Sequence, residues 1–162
     1  MKTLTSALIV TLLLSGCTYR SDDIEDNGVW VSVPEGESVM GYDNIGGKIY
    51  WGYIIDDFTA DQELDADIET FRVCKGTEYA KDKRRVYYPQ DQVCYDGIRF
   101  NEENGEYEGI GGVIAQKIVL RGANPSRFKY IRDGYAVSGN QMYLNGEKIE
   151  WNDSIIQQEG KR

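Results

Sequence analysis

Three cysteines and 27 acids are the first candidates for chemistry in this 162-residue chain, and histidine is absent. Without histidine there is no imidazole general base, no Ser-His-Asp or Cys-His relay and no His-bearing metal site. We therefore predict a protein that binds rather than catalyses and that needs no cofactor. The net charge of −9 also excludes nucleic acid as a partner, because an acidic surface repels the phosphate backbone.

The first cysteine, Cys17, ends a segment typical of a secretory signal. Lys2 precedes an apolar run from Leu4 to Leu14, which is too short to span a membrane. Leu14-Ser-Gly-Cys17 resembles the lipobox of bacterial lipoproteins, in which the chain is cut before the cysteine and lipid is attached to its sulfur. The resemblance implies a signal peptide at residues 1–16 and a bilayer anchor through acylated Cys17. Because Thr18 is not Asp, it also implies the outer membrane of a Gram-negative envelope, facing the periplasm.

The remaining chain divides into a linker and one domain. Residues 17–27 are acidic and lack a periodic apolar pattern, which is typical of a solvated tether. Residues 28–162 have the length of a single domain. Loss of Lys2 with the signal changes the net charge from −9 to −10, so we expect the body to stand away from anionic lipid.

The other two cysteines, Cys74 and Cys94, predict a disulfide, because an even pair outside the cytosol usually forms one. The closed loop of about 21 residues would stabilise the fold by roughly 3 kcal/mol. A redox pair or half of a metal site is the alternative. The spacing is unlike Cys-x-x-Cys, however, and further soft ligands are missing.

Tyrosines eight residues apart mark three similar segments. The leading tyrosines are Tyr42, Tyr79 and Tyr135. If a four-residue turn follows each leading strand, Ala80 lies opposite Tyr87 and Ala136 lies opposite Tyr143, with neighbouring side chains alternating between faces. The pattern predicts an all-β fold, an antiparallel meander of about three tandem hairpin repeats stapled by one disulfide.

Turn dipeptides and β-branched runs supply the other elements. Gly46-Gly47, Asp96-Gly97 and Asn145-Gly146 predict hairpin turns. Val29–Val33 and Val113–Leu120 predict two further strands.

Two stretches of the second segment carry a family resemblance. Tyr79-Ala-Lys-Asp-Lys-Arg-Arg-Val-Tyr-Tyr88, preceded by Ala66-Asp-Ile-Glu-Thr-Phe71, resembles the DKNYY repeat family of bacterial envelope proteins. The resemblance covers about residues 64–90 and, more loosely, 122–151. It implies a secreted or lipid-anchored protein and carries no catalytic residue over to this chain.

Strictly alternating acids form the densest carboxylate cluster of the chain. They are Asp61, Glu63, Asp65, Asp67 and Glu69. Such acids could bind calcium, but the glycine of an EF-hand loop is missing, and a strand with acids on one face is also typical of a solvated sheet edge. Paired carboxylates can hydrolyse glycosides without histidine, which leaves that alternative open.

A basic turn, composed of Lys81, Lys83, Arg84 and Arg85, is the candidate partner-binding site, although an exposed charged turn is the simpler interpretation. Three tryptophans and twelve tyrosines could form a sugar- or protein-binding face or chiefly the core.

These observations predict a membrane-anchored, non-catalytic envelope lipoprotein that binds another protein. An immunity protein against a periplasm-acting toxin is the specific form we favour, because negative charge speeds the capture of a basic partner. A cell-surface structural lipoprotein is one alternative. A calcium- or carbohydrate-binding protein that uses acidic and aromatic residues is the other.

Overall fold

The computed structural model describes residues 21–55 and 62–157. The predicted signal peptide, Cys17 and Asp61 lie outside these residues. Within them the chain consists of antiparallel β-strands and one five-residue helix, so the predicted all-β class is confirmed. In the same ranges no helix has the length and apolar character needed to cross a membrane.

Fourteen strands and one helix follow one another along the described chain. Strands β1 to β14 are Trp30–Val31, Ser38–Val39, Tyr42–Ile45, Lys48–Trp51, Tyr53–Ile55, Gln62–Leu64, Arg72–Cys74, Ala80–Lys81, Val86–Asn101, Glu106–Val119, Phe128–Arg132, Tyr135–Ser138, Gln141–Leu144 and Glu147–Ile149. Helix α1 is Asp153–Gln157, and 3₁₀ turns occur at Ser21–Asp23 and Pro125–Arg127.

These strands form three antiparallel sheets. The N-terminal sheet has the order β2-β3-β4-β6, the central sheet β1-β7-β8-β9-β10-β5, and the C-terminal sheet β11-β12-β13-β14. The C-terminal sheet is a simple meander. The central sheet instead recruits β1 and β5 from earlier parts of the chain, so the fold is more than the single predicted meander.

Each sheet contains one of the predicted hairpins, which we call the first (β3–β4), second (β8–β9) and third (β12–β13) hairpin. The predicted registers are confirmed, since Ala80 pairs with Tyr87 and Ala136 with Tyr143. Tyr42 likewise pairs with Trp51. Asn145 and Gly146 have φ of 48° and 78°, which is the left-handed backbone that a two-residue type I′ turn requires.

The hairpins bury side chains on both faces and thereby stack the sheets. One layer, between the N-terminal and central sheets, includes Tyr42, Ile49, Trp51, Phe71, Val73, Ala80 and Tyr87. The next, between the central and C-terminal sheets, includes Cys74, Tyr79, Val86, Phe128, Ala136 and Tyr143. The last includes Ile24, Ile131, Val137, Met142 and Ile156, so the chain's N-terminal segment and α1 cover the C-terminal sheet.

The predicted disulfide is wrong, because Cys74 and Cys94 are both free thiols. Val73, next to Cys74, is aligned through β8 with Tyr87 on β9. Cys94 lies seven residues farther along β9, which is about 23 Å at 3.3 Å per residue. A disulfide needs Cα atoms within about 7 Å of each other, so the two thiols cannot meet in this fold.

Three local predictions also change. Asp96-Gly97 lies inside β9 and makes no turn. The strand predicted at Val29–Val33 shortens to β1. The strand predicted at Val113–Leu120, in contrast, is confirmed as part of β10. The acidic run does not form one strand, because only Glu63 lies in β6, and Asp67 begins a turn in which its carboxylate accepts the Thr70 N–H at 3.2 Å.

Part of the predicted tether belongs to the folded body. Ile24 is buried in the last core layer. The Asn27 N–H donates to the Tyr130 carbonyl at 2.9 Å, and Asp26 accepts the Tyr130 N–H at 3.0 Å. Residues 24–27 therefore fix the start of the body against the C-terminal sheet.

Candidate functional site

The predicted partner-binding turn is organised around one buried carboxylate. Among the charged side chains whose burial the structure describes, Asp82 is the one that is fully buried. Its Oδ1 accepts the N–H groups of Arg84 and Arg85, both at 2.6 Å, and its Oδ2 accepts the Asp67 N–H at 2.8 Å and the Tyr87 hydroxyl at 2.9 Å. Four hydrogen bonds satisfy this carboxylate, so its role is to hold the turn.

The basic side chains of this turn pair with the predicted acidic run. Asp65 bridges Arg84 at 3.0 Å and Arg85 at 2.8 Å, and Asp67 contacts Lys83 at 2.6 Å. Hydrogen bonds from Arg85 and Arg84 lower the pKa of Asp65, and those from Lys83 and Thr70 lower the pKa of Asp67 to about 2. Turn and acidic run therefore neutralise each other's charge.

The remaining residues of both predicted sites have different surroundings. Lys81 is partly buried, and its Nζ lies 4.0 Å from the centre of the Trp30 ring and donates to the Phe128 carbonyl at 3.0 Å. Lys81 therefore connects the central sheet to the C-terminal sheet. Burial lowers its pKa, and Asp26 opposes that shift. Glu63 bonds Lys48 at 2.9 Å, while Glu69 is exposed. In residues 21–55 and 62–157, no three acids or cysteines are placed to hold a metal.

Tyrosine hydroxyls connect successive hairpins. Tyr42 donates from the first hairpin to the Glu78 carbonyl at 2.8 Å, and Tyr79 donates from the second to the Gly134 carbonyl at 3.0 Å. Each acceptor immediately precedes the leading tyrosine of the next hairpin. Burial raises the pKa values of Tyr42 and Tyr79, so these hydroxyls remain protonated and act as structural donors.

A cleft opens beside these hydrogen bonds, where the turns before the hairpins meet. Its volume is about 430 Å³, and its lining includes Met40, Glu78, Tyr88, Tyr130, Asp133 and Asn145. The lining thus combines two carboxylates, two phenol rings and one amide. Burial and the nearby Glu78 carboxylate raise the pKa of Tyr88 to about 12.

A second candidate surface is the two-stranded ribbon formed by β9 and β10. Phe100 and Tyr107 are directly paired near its end, with ring centroids 5.1 Å apart. They are 50 % and 76 % exposed, and Val93 is 39 % exposed farther along the ribbon. The turn between the strands adds the exposed acids Glu102 and Glu103. The ribbon thus presents apolar side chains beside negative charge.

Sequence reasoning missed both the ribbon and the cleft. A signal for the ribbon was present in Asn104-Gly105, a typical turn dipeptide that connects β9 and β10, with Gly105 at a φ of 73°. The cleft has no local signal, because its lining comes from turns far apart in the chain.

Comparison with protein families identifies one match. The DKNYY family model matches residues 48–158, which are more than half of the chain and include the second and third hairpins. No curated protein matches the chain, and no solved structure matches it. The chain belongs to the DKNYY family.

Proposed function

We propose that this protein is a membrane-anchored, non-catalytic module of the bacterial envelope that binds another protein. The specific form is an immunity protein that caps a periplasm-acting toxin. The observation that carries the proposal is the β9–β10 ribbon, with Phe100, Tyr107 and Val93 exposed on an acidic protein.

The ribbon has the properties of a docking arm. Its strands have 16 and 14 residues, whereas ordinary strands have about 3 to 10. In the described chain, β8 pairs with β9 only at Val86 and Tyr87, and β5 pairs with β10 only at Gly111 to Val113. Two paired strands are marginally stable by themselves, and open strand edges favour pairing with another chain. Exposed aromatic side chains at such a site gain most when a partner covers them.

The titratable groups support binding over catalysis. Tyr42, Tyr79, Tyr87 and Tyr143 have raised pKa values with burial as the main cause, and ion pairing lowers those of Asp65 and Asp67. General acid–base catalysis works best with a pKa near the operating pH. These shifts move away from neutrality, as structural roles require. The pKa of Lys81 shifts the other way, but its ammonium group is held by Asp26 and the Phe128 carbonyl.

The anchor and the repeats are further parts of the proposal. Acylated Cys17 holds the protein in the outer membrane, facing the periplasm. The three hairpins are units of one repeat. In support, Asp82 and Ser138 each lie three residues after a leading tyrosine. Asp82 accepts the Asp67 N–H at 2.8 Å, and Ser138 accepts the Asn124 N–H at 2.7 Å.

The experiment that tests the binding role is affinity capture from an envelope extract with detergent-solubilised full-length protein at low and high salt. We expect one basic partner in a one-to-one ratio, released by salt. The Phe100→Ser/Tyr107→Ser variant loses this partner. The control Ile45→Ser, which alters a 47 % exposed side chain on the N-terminal sheet, retains it. Equal capture by both variants, or no partner, contradicts the proposal.

The immunity form needs its own test. A strain that lacks the protein is expected to be killed by neighbouring siblings, and wild-type protein restores survival. Survival of the deletion strain beside those siblings contradicts this form but leaves other protein partners open.

A further inference from the structure

The cleft is lined by residues from the segments that precede each of the three hairpins. Met40 comes from the turn before the first hairpin, Glu78 from the segment before the second, and Asp133 from the turn before the third. The Tyr42 and Tyr79 hydrogen bonds fix these three segments relative to one another. The cleft is therefore a product of how the hairpins stack and is preformed in the folded body.

Two tyrosine side chains line this cleft and pack against a third, buried ring. The Tyr79 ring is fully buried and lies 4.7 Å from the Tyr88 ring and 6.3 Å from the Tyr130 ring, centroid to centroid. The Tyr79 hydroxyl is already engaged, since it also accepts the Gly146 N–H at 2.9 Å. Tyr88 and Tyr130 are partly exposed and line the cleft, so a ligand in the cleft contacts these two residues.

The charged side chains of the lining are all acidic. Glu78 and Asp133 are its two ionisable acids, and none of its described lining residues is a lysine or arginine. The partly buried Lys81 is bound to Asp26 and the Phe128 carbonyl instead. Two carboxylates beside partly exposed phenol rings match a planar cation, which can gain both ionic hydrogen bonds and stacking.

We propose that this cleft binds the guanidinium group of an arginine side chain presented by a partner protein. The inference rests on the proposed protein-binding role and adds the chemistry of the partner residue. Arginine fits better than lysine because its flat guanidinium stacks on tyrosine and can bind a carboxylate through two N–H groups. The volume of about 430 Å³ is ample for one such side chain.

The test measures binding of the peptide Gly-Gly-Arg-Gly-Gly to full-length protein by calorimetry and by NMR of the tyrosine ring resonances. A peptide with citrulline in place of arginine keeps the shape and removes the charge. We expect the arginine peptide to bind with millimolar affinity and to shift the Tyr88 and Tyr130 resonances, and we expect the citrulline peptide to bind about tenfold more weakly. If the wild-type protein binds the two peptides with equal affinity, or binds neither, the inference is overturned without any variant.

Matched variants locate the site. Glu78→Gln/Asp133→Asn keeps side-chain size, and Asn suits the φ of 47° at residue 133. The control Glu102→Gln/Glu103→Gln removes the same charge from the ribbon turn. We expect about tenfold weaker arginine binding in the first variant and less than about twofold change in the control. Equal weakening in both overturns the cleft as the site.

The source of the cation is tested with spermidine, a free amine. Tighter binding of spermidine than of the arginine peptide overturns the assignment to a protein side chain. If affinity capture finds a partner but the arginine peptide does not bind, this inference is refuted and the proposed function is not. Arginine binding without any captured partner refutes the proposed protein-binding role and leaves only a cation site.

Discussion

Paired aromatic rings are buried in the body, which consists of the three stacked hairpins and their core layers, but are exposed in the β9–β10 ribbon. Tyr79 in the body is fully buried, lies 4.7 Å from Tyr88 and has its hydroxyl hydrogen-bonded on both sides. Tyr107 in the ribbon is 76 % exposed and lies 5.1 Å from Phe100. The first pair gains free energy on folding, because its apolar surface leaves water. The second pair keeps most of that surface in water, so its gain comes on binding.

The strongest way to break the body is to remove its buried carboxylate. We expect Asp82→Ala to lower the free energy of unfolding by about 3 to 5 kcal/mol, since four donors lose their common acceptor. Urea denaturation of full-length protein measures the loss. The control Asp65→Ala, at a carboxylate 69 % exposed, is expected to cost less than about 1 kcal/mol. A loss below that level for Asp82→Ala contradicts the role we assign to it.

The two free thiols sharpen the same comparison. Cys94 in the ribbon is exposed, whereas Cys74 in the body is fully buried and burial raises its pKa. We expect a maleimide to label Cys94 about a hundredfold faster or more at neutral pH, because Cys74 reacts only after the body opens. Mass spectrometry of proteolytic peptides gives both rates. Similar labelling rates for the two cysteines contradict the fold. Labelling that occurs only after chemical reduction would mean that Cys74 and Cys94 form a disulfide.

The same substitution in both regions isolates the hydroxyl. Tyr79→Phe leaves the Gly146 N–H without its acceptor and is expected to cost about 1 to 3 kcal/mol. Tyr107→Phe is expected to change stability by less than about 0.5 kcal/mol, since its hydroxyl is solvated. Thermal and urea unfolding of both variants test this. Equal effects would mean that the ribbon is packed as tightly as the body.

Acid pH gives the smallest effect. The pKa of Asp67 is lowered from 3.8 to about 2 in the folded state, so its ion pair with Lys83 stabilises the fold above about pH 4 and the contribution is lost between pH 4 and pH 2. Wild-type protein is therefore expected to lose slightly more stability over this range than Asp67→Asn. High salt should shrink the part of the difference that comes from the ion pair, because the Lys83 side chain is 58 % exposed, whereas the part from the Thr70 hydrogen bonds should remain. A difference that salt does not change at all contradicts the contribution of the ion pair.

The hairpin registers could be predicted because side-chain alternation and the tyrosine spacing within one hairpin determine which residues pair. The pairings of Ala80 with Tyr87 and of Ala136 with Tyr143 need no knowledge of distant residues. The disulfide could not be predicted in this way. The number of cysteines does not say how far apart Cys74 and Cys94 lie, and bond formation depends on their separation in the sheet.

The ribbon and the cleft also depend on information that local patterns lack. Asp96-Gly97 and Asn104-Gly105 are both turn dipeptides, but only the second makes the turn. The long pairing of β9 with β10 decides between them. Similarly, the acids Asp65 and Asp67 look like a solvated edge until the fold places the basic turn against them.

The tyrosine hydrogen bonds between hairpins run from one hairpin to the next hairpin along the chain. Tyr42 needs the carbonyl of Glu78, and Tyr79 needs that of Gly134, so each hairpin is completed by the one that follows it. A chain that emerges from its N-terminus first cannot satisfy either hydroxyl until the next segment has appeared. Completion of the body therefore waits until the third hairpin has been synthesised.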